Sequence, residues 1–328
     1  MVIGMLAASN AATLAHVPRC GTIVEVTVKF IFQYPDFHGL EGDMLDAGAV
    51  ADVAAAAERA GFDGFAFTEH PAPSASWMAA GGHQTLDPFI ALGNVAAVTT
   101  RMMLLTYLAV LPYRNPLMVA KAATTLDRLS GGRFVLGVGT GYLKAEYFAL
   151  GAAFEDRNAR FDDSLEVLRK AWTGEPFDHA GIGFDARNTI QRPRPTNRRI
   201  PIWIGGNSSL TLRRVAERAD GWMPLIGRAE MSSTVRSPPI ESVDAIATRL
   251  AMLRELAGDR FADLDIAVPY TDPSVHDTSH EVDRHREALA AWARAGATWI
   301  IVPGPSAPAP ASEAFVADFA ARYITRGT

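Results

Sequence analysis

The sequence contains a single cysteine, Cys20, among 328 residues. One cysteine can supply neither an intramolecular disulfide framework nor a thiolate metal cluster. The sequence also has no apolar run near the roughly 20 residues that a helix needs to span a bilayer. These two absences predict a protein of the reducing cytoplasm that has no membrane partner.

An excess of positive charge is also missing. Lysine and arginine total 31 against 36 aspartate and glutamate residues, which gives a formal net charge of −5. Proteins that bind nucleic acid are expected to carry a basic face that neutralises phosphates. The composition therefore argues against a nucleic-acid partner. The 48% hydrophobic and 20% charged residues match an ordinary globular protein.

The histidines do not follow a metal-ligand pattern. A barrel metallohydrolase needs two histidines close together after its first strand, and further His and carboxylate ligands later. The segment from Gln33 to His38 has no H-x-H, and His280 and His285 fall where a surface helix is expected to begin. The sequence predicts no metal site. The eight histidines are scattered along the chain: His16, His38, His70, His83, His179, His276, His280 and His285.

Common nucleotide and nucleophile motifs are absent as well. In the run G-V-G-T-G from Gly137 to Gly141, the third glycine of a G-x-G-x-x-G fingerprint would fall at Tyr142. There is no P-loop lysine and no G-x-S-x-G nucleophile elbow. The Rossmann, P-loop and α/β-hydrolase interpretations therefore fail.

What the sequence does contain is a regular alternation of short apolar runs and helical segments. Eight strands, each followed by a helix, are typical of an α/β protein with a (β/α)₈ TIM barrel. The predicted strands are 24–32, 64–68, 102–110, 133–138, 201–204, 221–225, 264–269 and 298–302.

No linker divides this alternation, so the sequence predicts one barrel domain over residues 26–328. Residues 1–25 are mildly apolar and rich in small residues, and they lack the positive n-region of a secretory signal. We expect a poorly ordered extension there, with a signal peptide as the alternative. Two segments, 174–199 and 227–239, are expected as insertions at the carboxyl-end loops, either as lids or as surface excursions.

Two of the predicted strands leave the barrel through glycine-rich loops. Gly139-Thr140-Gly141 follows one, and Gly205-Gly206-Asn207-Ser208 follows the next, with a helix opening at once. Glycines let main-chain N–H groups approach a ligand closely, and an anion is the favoured ligand. The pattern indicates a phosphate bound between two loops. Two tight βα turns without a ligand are the alternative.

Glu69 and His70 end the second predicted strand, on the catalytic face of a barrel. A histidine there can donate to a ligand or take a proton, and an adjacent carboxylate could fix its tautomer. The other interpretation is a polar cluster that only anchors the loop 71–84.

Four blocks of this chain resemble the bacterial luciferase-like superfamily, and most closely its F420-dependent oxidoreductase branch. They are GFDGFAFTEH, TLDPFIALG, LPYRNPLMVAKAATTLDRLSGGRFVLGVGTGYLKAEY and PIWIGGNSSLTLRRVAERADGWMP, and they follow one another in the family's order. The similarity extends over about residues 26–302. FMN-dependent monooxygenases of the superfamily share much of this sequence pattern.

The resemblance implies a (β/α)₈ barrel that binds a flavin-type cofactor. It places the cofactor phosphate at the two glycine-rich loops and the His70 ring against the cofactor ring. It also implies a cis peptide bond between Tyr107 and Leu108, behind the cofactor. The cofactor-binding residues that it implies are His70, Thr106, Tyr107, Leu108, Gly139, Thr140, Gly141, Gly205, Gly206, Asn207 and Ser208.

One departure bears on the chemistry. F420-dependent sugar-phosphate dehydrogenases of the family carry a catalytic glutamate directly after the first glycine loop, and Tyr142 stands there in this chain. Glu146 comes four residues later and is expected to face elsewhere. The family's tryptophan after the histidine is replaced by Ser74, with Trp77 nearby. The catalytic candidates are His70, Glu69 and Tyr142.

The resemblance implies an oxidoreductase that uses coenzyme F420 for hydride transfer to or from a small organic substrate. A monooxygenase that uses reduced FMN and O₂ is the alternative, and a non-redox barrel hydrolase or lyase, or a cofactor-binding protein, is more distant. The resemblance also implies a homodimer and admits a separate flavin or F420 reductase as a partner.

Overall fold

The computed structural model describes residues 28–38, 42–227 and 237–324. The expected extension over residues 1–25 lies outside these residues, as does most of the predicted 227–239 insertion.

Within the described residues, eight parallel strand positions close into a barrel, as predicted. The barrel strands are β1 (Lys29–Gln33), β2 (Gly64–Phe67), β3 (Met103–Thr106), β4 (Ala109–Val110), β5 (Phe134–Gly139), β8 (Ile202–Gly205), β9 (Gly221–Met223), β10 (Asp265–Pro269) and β11 (Trp299–Pro303). Neighbouring strands pair in the order β3-β2-β1-β11-β10-β9-β8-β5, and β5 pairs with β3 to close the ring.

The third strand position is interrupted where the sequence predicts one strand from 102 to 110. β3 ends at Thr106 and β4 begins at Ala109, and the Tyr107–Leu108 peptide bond between them is cis. The predicted cis bond is thereby confirmed. β4 continues the pairing with β5, so the interruption lies at the carboxyl end of the barrel.

Helices cover the outside of the barrel and begin at the expected caps. Asp87 accepts from the N–H groups of Phe89 and Ile90, and Ser208 accepts from the N–H of Thr211. Both side chains satisfy donors that a helix start leaves without partners. The helices are α1 (Val50–Ala60), α2 (Ala75–Ala79), α3 (Pro88–Val98), α4 (Pro116–Leu129), α5 (Lys144–Ala149), α6 (Arg157–Thr173), α7 (Ser209–Arg218), α8 (Val243–Ala257), α9 (Val282–Ala295) and α10 (Ala311–Tyr323).

The excursion between β5 and β8 contains an antiparallel hairpin that the sequence does not predict. Its strands are β6 (Phe177–Gly181) and β7 (Phe184–Thr189). The His179 ring stacks on Phe184 and lies 2.6 Å from Asp163 on α6. The hairpin is therefore attached to an outer helix, which favours the surface interpretation of this insertion.

Two apolar layers hold the barrel together. Inward side chains, including Ile31, Leu105 and Trp203, fill the barrel, and outward ones such as Phe30 and Phe32 pack under the helices. Strands buried on both faces explain why their sequences are almost wholly apolar. Over residues 28–38, 42–227 and 237–324, no helix is long and apolar enough to cross a membrane.

Candidate active site

Glu69 and His70 are adjacent in sequence but point in different directions. The Glu69 carboxylate accepts from the N–H of Val110 at 2.8 Å and forms an ion pair with Arg114 at 2.5 Å. Successive side chains of an extended chain lie on opposite faces. Glu69 therefore points away from the His70 side chain and binds the loop before α4. The expected contact between Glu69 and His70 is therefore wrong.

The carboxylate that contacts His70 belongs to Glu146, which was expected to face elsewhere. Glu146 is completely buried on α5, and its Oε2 lies 3.3 Å from His70 Nδ1. The Tyr113 hydroxyl donates to the same oxygen at 2.7 Å, and the Ala72 N–H donates to Oε1 at 3.3 Å. Burial, followed by the Glu146 contact, raises the pKa of Tyr113 far above its usual range, so this hydroxyl keeps its proton.

The other nitrogen of the His70 ring faces Tyr142. The Tyr142 hydroxyl lies 3.5 Å from Nε2, and burial raises the pKa of Tyr142 to about 12. Tyr142 is therefore a hydrogen-bond donor at neutral pH rather than a base. The centroids of the Trp77 and His70 rings are 4.5 Å apart, so an indole does lie beside the histidine. Ser74, which stands at the position of the family's tryptophan, caps the start of α2.

A second polar pair borders His70 and was not predicted as part of the site. Asp36, just beyond β1, accepts from Gln33 at 2.6 Å and from Thr68 at 2.7 Å, and His83 Nδ1 lies 3.7 Å away. Burial raises the pKa of Asp36 to about 6 and lowers the pKa of His83 to about 4. The His83 and His70 ring centroids are 5.0 Å apart. The sequence feature that could have identified Asp36 is its position just after a predicted strand, at the end of the barrel where catalytic residues lie.

The residues on both sides of the cis bond contribute mainly to packing. Thr106 is completely buried, and its hydroxyl donates to Gly137 O at 2.8 Å. The Leu108 side chain covers the exits of two strands, because a Cβ at Gly139 would stand 2.5 Å from its Cδ1 and a Cβ at Gly205 would overlap it. Gly139 and Gly205 are thus needed to accommodate Leu108.

Gly141 and Gly206 have a different reason to be glycine. Their φ angles are +67° and +115°, a region that other residues rarely adopt. A Cβ would stand 2.6 Å from Val110 Cγ1 at Gly141 and 3.3 Å from Thr211 Oγ1 at Gly206. The Tyr147 hydroxyl donates to Thr140 O and holds the first loop.

Several groups of the second loop are already engaged. The N–H of Gly206 donates to Met223 O, and that of Asn207 donates to Ser237 Oγ. The buried Asn207 amide donates to Leu225 O and Pro238 O, and Ser208 caps α7. Asn207 and Ser208 therefore shape this loop with their side chains. The first N–H groups of α7, at Ser209 and Leu210, have no intrahelical acceptor, as at any helix start.

No group of three or more His, Cys, Asp or Glu side chains could hold a metal ion in the part of the chain that the structure describes. His285, expected on a surface helix, is instead completely buried, and its Nδ1 lies 2.6 Å from the Tyr270 hydroxyl.

Comparison with known proteins identifies relatives of the chain. The family model for luciferase-like monooxygenases matches residues 29–325. An uncharacterised protein of Mycobacterium tuberculosis is 36% identical over 177 residues, which is 54% of this chain and 57% of that protein. An F420-dependent glucose-6-phosphate dehydrogenase of Nakamurella multipartita is 33% identical over 221 residues, covering 66% of this chain and 60% of the dehydrogenase. The chain thus matches somewhat over half the length of these curated relatives.

A solved structure confirms the architecture. The crystal structure of a monooxygenase from Streptomyces bottropensis superposes with a TM-score of 0.68 over 90% of this chain and 98% of that one, at 19% identity. At this identity, the likeness concerns the fold.

Proposed function

The chain belongs to the luciferase-like monooxygenase family, and on that premise we propose that it is an oxidoreductase that uses coenzyme F420 for hydride transfer. Its substrate is a small organic molecule bound at the carboxyl end of the barrel. The F420-dependent dehydrogenase relative supports the choice of cofactor. The observation that carries the proposal is the placement of His70 at the same barrel mouth as two glycine-rich loops.

The residues of these loops fit a phosphorylated cofactor. Gly141 and Gly206 hold left-handed backbone conformations, so a side chain on either would strain its loop; at Gly141 it would also collide with Val110, and at Gly206 it would press on Thr211 in the first turn of α7. Helix starts attract anions through their free N–H groups and dipole. We assign the phosphate to Gly139–Gly141, Gly206 and the first turn of α7. Tyr107 and Leu108 would help to hold the cofactor, and buried Thr106 supports them.

His70 is the proposed acid–base group. F420, when bound, accepts or donates a hydride at its deazaflavin ring. In the oxidation of a substrate alcohol, His70 Nε2 would take the O–H proton, and bound F420 would supply the acceptor for the carbon-bound hydride. Tyr142 donates a hydrogen bond toward Nε2 and so helps to orient the ring, while Glu69 braces the loop before α4.

Reduced FMN with O₂ is the second candidate. Tyr142 favours this second candidate, because the F420-dependent sugar-phosphate dehydrogenases of the family carry a glutamate at the matching position. The Tyr142 phenol, with its pKa raised to about 12 by burial, is a far weaker acid than the carboxyl group that it replaces. This candidate would require a flavin reductase as a partner.

We further propose a cytoplasmic homodimer. Ile90 and Met118 lie in the first turns of α3 and α4, which pack against each other, and 77% and 68% of these residues are exposed. Large apolar side chains exposed on adjacent helices are typical of a subunit interface.

Turnover assays test the proposed function. The protein is mixed without oxygen with oxidised F420 and a panel of alcohols, and the deazaflavin absorbance is followed. A parallel assay supplies reduced FMN and measures O₂ consumption that depends on added substrate. Loss of F420 absorbance supports the main proposal, and substrate-dependent O₂ consumption supports the second. A parallel titration in which the protein binds neither F420 nor FMN would reject both proposals.

A further inference from the structure

Glu146 is a completely buried carboxylate that no motif identifies, and every contact described for it comes from a hydrogen-bond donor or a ring nitrogen. Tyr113 donates to Oε2, Ala72 donates to Oε1, and His70 Nδ1 lies 3.3 Å from Oε2. A buried carboxylate is costly unless hydrogen bonds satisfy it. The buried Glu146 carboxylate therefore needs hydrogen-bond donors, and His70 is one of them.

We propose that Glu146 is the positioning residue that holds the His70 proton on Nδ1 and leaves Nε2 as the nitrogen that exchanges a proton with substrate. The structural part of this proposal concerns the chain alone, and its catalytic part rests on the proposed function. Glu146 does not itself contact the reacting atoms. It acts through the imidazole.

The chemistry of the contacts leads to this tautomer. An ionised carboxylate can only accept hydrogen bonds, so the nitrogen that faces Glu146 must carry the proton. The ring nitrogen opposite is then an acceptor, since the hydrogen bond made by one nitrogen sets the state of the other. Tyr142, whose hydroxyl lies 3.5 Å from Nε2, is a protonated donor that suits an acceptor there.

Tyr113 makes the arrangement rigid. Its hydroxyl binds the same Glu146 oxygen at 2.7 Å, and its ring packs at 4.7 Å against the Tyr147 ring, between centroids. Glu146 therefore cannot follow the imidazole if the imidazole turns. When His70 takes a proton, the Glu146 carboxylate also lies close enough to stabilise the resulting positive charge.

The other ionisable groups around His70 cannot replace this contact. The described hydrogen bonds of the Asp36 carboxylate oxygens come from Gln33 and Thr68, not from the His70 ring. His83 and His38 lie on the same side of the site as Asp36. Glu69 is bound to Arg114 and Val110. Glu146 is thus the carboxylate in hydrogen-bond range of the His70 ring among the described residues.

Nitrogen-15 NMR of histidine-labelled protein without cofactor tests the proposal. The His70 signals are assigned from their absence in His70→Gln. The wild-type spectrum, recorded where the ring is neutral, is expected to show a protonated Nδ1 and an unprotonated Nε2. Glu146→Leu is expected to move at least half of the proton population to Nε2. Asp36→Asn, which removes the neighbouring carboxylate, is expected to leave the tautomer unchanged.

A wild-type His70 protonated on Nε2 would overturn the proposal, and this measurement does not depend on the folding of Glu146→Leu. An unchanged Nδ1–H tautomer in folded Glu146→Leu would also overturn it. Once a substrate is known, Glu146→Leu should lower kcat at least tenfold while cofactor affinity stays within twofold. Failure of the protein to bind F420 or FMN rejects the proposed function instead, and the NMR result stands apart from that outcome.

Discussion

At the scale of single residues, His70 is defined by neighbours that are distant in sequence. The adjacent Glu69 faces the other way, and the contact that matters comes from Glu146, 76 residues later. A one-dimensional pattern can place His70 at a strand end, but it cannot give the rotation of α5 that turns Glu146 inward. That rotation depends on the packing of Tyr147 against Tyr113 and Phe154.

Asp36 and His83 should have opposite effects on the pH dependence of stability. The Asp36 pKa is raised from 3.8 to about 6, so its contribution is present below about pH 4 and is lost as the pH rises through about 6. The His83 pKa is lowered from 6.5 to about 4, so its contribution is present above about pH 6.5 and is lost as the pH falls toward 4. Each shift corresponds to about 3 kcal/mol, and the two largely cancel.

Single substitutions should expose each contribution. From pH 4 to 6.5, the free energy of unfolding of Asp36→Asn should rise relative to wild type, and that of His83→Gln should fall. Urea unfolding at several pH values measures both slopes. If the free energy of unfolding changed with pH equally in wild type and both variants, the shifted pKa values of Asp36 and His83 would be contradicted.

His70→Ala should lose turnover but keep its cofactor. Loss of an acid–base group typically lowers a rate by about 10²–10⁴-fold. The loop 71–84 should remain in place, because Thr85 Oγ1 binds the main-chain N–H and C=O of His70 rather than its ring. Steady-state kinetics and cofactor binding measure the two effects, with His179→Ala on the outer β6–β7 hairpin as the control. A fall in stability at near wild-type turnover would show that His70 serves only the loop.

At the scale of elements, the barrel strands are predicted well because burial on both faces makes them apolar. The predicted strand 133–138 corresponds to β5, and 298–302 corresponds to β11, each displaced by one residue. The β6–β7 hairpin could not be predicted in this way. It is largely polar, and it gains its stability from α6 through His179 and Asp163.

The loop after β8 offers a test of the phosphate site. Gly206→Ala should weaken cofactor binding at least tenfold, about 1.4 kcal/mol, because the new Cβ enters the loop beside the start of α7. The control is Gly296→Ala, since Gly296 has nearly the same φ, +116°, at the remote end of α9. Both variants should lose about 1–3 kcal/mol of stability through backbone strain. A loss of affinity shared by both variants would mean that the effect is general.

At the scale of the whole molecule, the closed barrel brings the ends of β2, β5 and β8 to one mouth although they are far apart in sequence. This closure was predictable from the count of strands and the rule that parallel strands share a carboxyl edge. The proposed subunit interface could not be located from pattern alone, because exposed apolar residues are identified only once the helices are placed.

The proposed dimer should depend on the exposed residues of α3 and α4. A double substitution of Ile90 and Met118 by glutamate places like charges on both partners and should shift the protein from dimer to monomer. Sedimentation velocity measures the change, and glutamate at Leu129, an exposed residue at the far end of α4, is the control. A wild-type monomer, or a variant that remains dimeric, would refute this interface.

The central claim is that a phosphorylated deazaflavin binds where β5 and β8 leave the barrel. The most direct measurement is an equilibrium titration of the wild-type protein and Gly206→Ala with F420, and with FMN in parallel. We expect saturable binding of F420 to wild type, tighter than that of FMN, and at least tenfold weaker binding to folded Gly206→Ala. Binding of F420 with equal affinity to both proteins, or no binding of either cofactor to wild type, would contradict the account.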